Sequence, residues 1–118
     1  MTFGKSSTVP EHRDESAEYP VLRSLIHGYF NQDWDLICKT QDSDEAIAFV
    51  KKETSAEGIQ NLIRDIEEFL AKYGRNDTEL NNALERVFRP EIDFYNMKGR
   101  TTRQGLQKVI EILSDPKI

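Results

Sequence analysis

The side chains through which this chain could do chemistry are few and scattered. His12 and His27 are its only histidines and Cys38 its only cysteine. His27 stands between Ile26 and Gly28 and could serve as a general base, but no nucleophile lies near it in sequence, so it reads as structural. Cys38 would need a base and an electropositive setting to become a nucleophile. Its acidic surroundings instead favour a protonated, partly buried thiol. Two histidines and one cysteine do not make the tight four-ligand spacing of a zinc site. Carboxylates are paired at Asp33/Asp35, Asp42/Asp44/Glu45, Glu67/Glu68 and Glu91/Asp93. General acid–base pairs need burial and opposed environments, whereas these fall at caps, turns and polar helix faces. Asp42-x-Asp44 lacks the glycine and distal glutamate of a calcium loop. No catalytic residue, metal or cofactor is therefore expected. Gly99-Arg100-Thr101-Thr102-Arg103 offers a glycine, two hydroxyls and two guanidiniums at a helix start. Two readings stay open there: an anion site, which would make the chain a small anion- or nucleotide-responsive helical regulator, and a plain cap whose arginines pair with nearby acids.

The elements that would position these groups are helices. Pro20 suits a first turn, and Leu22, Leu25, Ile26, Tyr29 and Phe30 follow at helical spacing. Gly28 would allow a close helix crossing. Asn31-Gln32-Asp33 reads as a break, and Trp34, Leu36 and Ile37 as a short return into the core. Asp42 and Glu45 have capping-box spacing and open a helix from Ser43 to about Thr54. Ser55 caps the next, with Ile59, Leu62, Ile63, Ile66, Phe69, Leu70 and Tyr73 inward and Gly74 as its stop. Asp77 or Thr78 starts a fourth, ending at Pro90. Thr101 or Thr102 caps the last, which closes at Asp115-Pro116. The residues from Glu91 to Arg100 read as a loop packed over the bundle, with Tyr95 and Met97 as exposed interface anchors. No alternating strand pattern is present. The expectation is all-α: a compact single-domain bundle of five to six helices over residues 19–118, preceded by a polar arm, residues 1–18.

With 118 residues, the chain fits one domain. Sixteen Lys and Arg against 21 Asp and Glu give a net charge of −5, which argues against direct binding of nucleic acid and suits a basic protein partner. Residues 19–72 carry ten acids and six bases, residues 73–118 seven acids and eight bases. A lone cysteine fits a reducing compartment. With no long apolar run and no secretory signal, the expected location is the cytoplasm, away from membranes.

Two segments carry a family likeness. The first is Tyr19-Pro20-x-Leu22 followed by Gly28-Tyr29-Phe30-Asn31-Gln32-Asp33-Trp34. The second is Pro90 and then Gly99-x-Thr101-x-Arg103-x-x-Leu106. With these the chain resembles the small all-helical immunity proteins of bacterial contact-dependent growth inhibition systems. Asn31, Thr102 and Gly105 depart from residues common in that family. The resemblance implies a cognate inhibitor that binds the C-terminal domain of a toxin, one to one, and covers its active site or substrate path. Many such toxins are nucleases with basic clefts, which an acidic surface would match. Tyr29, Phe30, Gln32, Asp33, Trp34, Gly99, Thr101 and Arg103 are then expected to hold the fold. Partner contacts are expected from Asp35, Asp42, Asp44, Glu45, Asp65, Glu68, Glu91, Asp93, Tyr95 and Met97.

Overall fold

The computed structural model describes residues 18–118; His12 and all but the last residue of the polar arm lie outside that range. The described residues form six α-helices and one 3-10 segment: α1 (Pro20–Gly28), α2 (Trp34–Cys38), α3 (Ser43–Glu53), α4 (Ala56–Tyr73), α5 (Asp77–Phe88), the 3-10 segment (Phe94–Gly99) and α6 (Thr102–Ser114). The all-α expectation holds.

Side-chain caps set most helix starts. The Asp42 carboxylate accepts from the N–H groups of Asp44 and Glu45 at 2.8 and 3.3 Å. Ser55 Oγ accepts from Gly58 N at 3.0 Å. Thr101 and Gln104 complete a reciprocal capping box on α6. Glu45 does not close the box on α3. It accepts instead from the Thr40 hydroxyl, which in turn accepts from Asp42 N. The cap of α5 is Asn76, whose side chain accepts from Glu79 N at 2.8 Å; Asp77 stands one position later and is free for another task.

α6 is the central helix, packing on α3, α4, α5 and the 3-10 segment, while α1 lies on α4 and α2 on α3. The buried face of α6 carries Leu106, Val109, Ile112 and Leu113, that of α4 Leu62, Ile66 and Phe69, and that of α5 Leu80, Leu84, Val87 and Phe88. Each is one stripe at three- and four-residue spacing. Phe30, Phe69, Phe88 and Phe94 fill the interior, and Tyr29, Trp34 and Phe49 pack half-buried against it.

Two glycines are set by their surroundings. A Cβ on Gly105 would collide with the Tyr95 carbonyl, so glycine here is what lets α6 lie against the backbone of the 3-10 segment. At Gly74 the stop holds, but its φ of −88° is ordinary. The constraint is space, since a Cβ would meet the Leu70 carbonyl and the Arg103 guanidinium. Gly28 makes no such approach; nothing lies within 4 Å of a Cβ there, and the expected helix crossing at this residue is absent.

Two apolar expectations are corrected. Leu36 does not return to the core: it is 75% exposed. In a helix, Trp34, Ile37 and Cys38 share the inward stripe, and Leu36 falls on the opposite side. Tyr95 is not an exposed anchor: it is 1% exposed, because the segment after Phe94 tightens into 3-10 turns that press it under α6. Met97 is half-buried against the same core.

Candidate functional site

The expected anion site at the start of α6 is already filled by the protein's own carboxylate. Asp77 Oδ1 accepts from Arg103 N at 2.9 Å and Oδ2 from Thr102 N at 3.3 Å, while Thr101 Oγ1 takes Gln104 N at 3.1 Å. The first N–H groups of α6 therefore have partners, and an outside phosphate would have to displace a tethered anion. Gly99, at φ +73°, supplies a left-handed turn just before the cap.

Of the two arginines expected to pair with nearby acids, Arg100 does so through its side chain, while Arg103 meets Asp77 through its backbone N–H. Arg100 grips Asp44 with both terminal guanidinium nitrogens, at 2.6 and 2.8 Å, and Lys98 reaches Asp42 at 2.8 Å and Asp44 at 3.5 Å. These bonds tie the start of α3 to the segment before α6. The hydrogen-bonded ammonium of Lys98 holds the Asp42 carboxyl below the usual carboxylate range, and the Arg100 guanidinium does the same to Asp44. Asp42 and Asp44 are thus neutralised in place, and of the expected trio only Glu45 stays exposed.

Asp65 is another inward acid. It is 6% exposed, and its Oδ2 accepts from Val21 N at 2.9 Å and Leu22 N at 3.1 Å. It is the cap of α1, supplied from α4 across the interface. Tyr19, which precedes α1 and packs edge-on against Phe69 at 5.3 Å, has its hydroxyl pKa pushed up to about 12, chiefly by burial. Glu68, one helical turn on, is exposed. Cys38 is 3% exposed and burial pushes its thiol pKa up, while His27 is exposed in the last turn of α1. Among the described residues no group of three or more His, Cys, Asp and Glu could hold a metal ion.

Four further acids lie in and around α2 and in the stretch after α5, while Glu53, Glu57, Glu67, Glu68 and Glu85 are exposed on other helices. The turn between α1 and α2 is tied by Asn31, whose side chain donates to the His27 carbonyl at 3.0 Å and accepts from Asp33 N at 2.9 Å. Gln32 contributes its backbone: its N–H donates to the Glu91 carboxylate at 2.9 Å, which joins this turn to the residues after α5. Beneath, Phe30 stacks on Phe94 at 4.1 Å and leans on Trp34 at 5.8 Å. The Tyr95 hydroxyl donates to Asp93 at 3.2 Å. A row of aromatic rings therefore supports α2 and the 91–95 stretch together, with Asp33, Glu91 and Asp93 exposed along its edge and Asp35 half-exposed on α2. Leu36 stands out beside Asp33, three residues on. Sequence reasoning missed Leu36 as a surface residue, although its position between inward-facing Trp34 and Ile37 was the available signal.

No helix among the described residues is long and apolar enough to cross a membrane. No curated protein and no solved structure matches the chain. A family model described as CdiI immunity protein matches residues 18–113, a span that holds both likeness segments, all six α-helices but for the last residue of α6, and the aromatic row. The chain belongs to the CdiI immunity protein family.

Proposed function

We propose that this protein neutralises a cognate toxin domain by binding it one to one and covering its working cleft, and that the toxin is a nuclease. The observation that carries this reading is the family match over nearly the whole described chain. The surface supports it. The net charge is −5, and Asp33, Asp35, Glu91 and Asp93 are exposed or half-exposed on α2, at its start and on the 91–95 stretch. A cleft built to hold a phosphate backbone is basic, and a negative surface steers fast encounter with it and competes with the nucleic acid for the same cations. In this reading the chain acts by contact alone and in the cytoplasm, where the toxin would meet its substrate.

The test is to mix the purified chain with the toxin domain encoded beside it and to follow both complex size and toxin activity. Co-elution at one to one, with activity falling to nothing at one equivalent, is the expected result. A stable complex that keeps full toxin activity would defeat the covering mechanism.

A further inference from the structure

We propose that the outward face of α2, centred on Leu36 and flanked by Asp33 and Asp35, with Glu91 bonded to its entry turn, is the docking surface for a partner protein. That partner presents an apolar socket ringed by basic side chains. The proposal rests on the toxin-neutralising reading and names the surface that would carry it.

Leu36 is the most exposed large apolar side chain among the described residues, at 75%; the other, Ile118 at 45%, is the last residue of the chain. Its exposure follows from helix geometry, as the opposite stripe of α2 is committed to the core. The short helix beneath it is held in place on several sides. Asn31 locks its entry turn, Glu91 holds Gln32 N, and Trp34 leans on the stacked Phe30–Phe94 pair. A protruding side chain on a braced platform binds with little ordering cost. An apolar centre inside a polar rim is the usual anatomy of an interface hot spot.

Charge decides the occupant. Residues 31–39 and 89–93 together carry four acids, Asp33, Asp35, Glu91 and Asp93, against two bases, Lys39 and Arg89, a net charge of −2. At the start of α3, by contrast, Lys98 and Arg100 cancel Asp42 and Asp44. Two copies of this face would bring like charges together around a small apolar contact, which disfavours self-association. A basic rim removes that repulsion and gains steering.

The experiment measures binding of the toxin domain by surface plasmon resonance at two salt concentrations. The chains compared are wild type, Leu36→Arg, the double variant Asp33→Lys/Asp35→Lys, and the control Glu57→Lys/Glu67→Lys. The control makes the same charge change at exposed positions of α4. Circular dichroism and thermal melting verify folding. Leu36→Arg is expected to weaken binding about a hundredfold, mostly through faster dissociation. The α2 double variant should slow association about tenfold and flatten its salt dependence, while the control stays within about twofold of wild type. If wild type binds and protects but Leu36→Arg binds equally well, the face is wrong and the neutralising reading stands. An α4 control as damaging as the α2 double variant also overturns the face. Failure of the wild-type chain to bind the toxin overturns both. A wild-type dimer that Leu36→Arg converts to monomer would reassign the face to self-association.

Discussion

Asp65 provides the sharpest test of how the bundle is held. Its Oδ2 accepts two backbone N–H groups of the first turn of α1, at 2.9 and 3.1 Å, from a side chain that is only 6% exposed. A hydrogen bond to a charged group contributes about 1.5–3 kcal/mol, and a buried donor left unpaired costs about 1–3 kcal/mol. Leu22 N is buried, whereas Val21 N is half-buried and can recruit water. Replacing Asp65 with Ala should therefore cost about 3 kcal/mol, which for a domain near this size is a fall in Tm of roughly 12 °C. Asp65→Asn keeps one acceptor oxygen where both N–H groups converge, so it loses only the charge-assisted part and the favourable placement at a helix N-terminus, about 1 kcal/mol. Urea denaturation of wild type and both variants, monitored by circular dichroism, reads these differences directly. An Ala variant within about 0.5 kcal/mol of wild type, or Asn as damaging as Ala, would refute the cross-helix cap.

Other consequences are as concrete. Gly105→Ala drives a Cβ into the Tyr95 carbonyl and should cost about 2–3 kcal/mol, read as a lowered urea midpoint. Asp77→Ala empties the start of α6; added phosphate should then raise the variant's Tm while leaving that of wild type unchanged, and equal responses would mean the N–H groups were never occupied. Asp42 and Asp44 have folded pKa values below their unfolded value of 3.8, so their ion pairs contribute fully above that pH and the contribution is lost as pH falls through the lower folded values. The stability gap between wild type and Asp44→Asn should thus persist from pH 7 to about pH 4 and close below it; a gap that widens on acidification contradicts the pairing. Cys38, buried and with its thiol pKa pushed up, should react with a thiol reagent far more slowly in the folded chain than in urea.

The helix boundaries were legible because they are local. Asp42, Ser55 and Thr101 each cap within three residues of themselves, and the inward stripe of α4 repeats over about four turns. The break at Asn31–Asp33 was legible as well, though it is Asn31 whose side chain ties it, while Asp33 stands at the α2 cap position without a side-chain hydrogen bond. What the sequence did not disclose depends on distant partners. Asp65 and Asp77 look like surface acids in one dimension; each caps a helix 43 or 25 residues away. Tyr95 sits among charges in sequence, and only the close approach permitted by Gly105 explains its burial. The pairing of Asp42 and Asp44 with Lys98 and Arg100 spans 56 residues, so the sequence alone does not show that the folded chain neutralises these two expected partner contacts.

The proposed neutralisation puts this protein in the place of a toxin's substrate, and a displacement measurement tests it most directly. A fluorescent nucleic acid is bound to a catalytically inactive toxin domain and its anisotropy is followed as the chain is added. Release of the nucleic acid, complete at one equivalent and impaired by Leu36→Arg, is the expected result. A ternary complex in which toxin, nucleic acid and this chain remain together would contradict it.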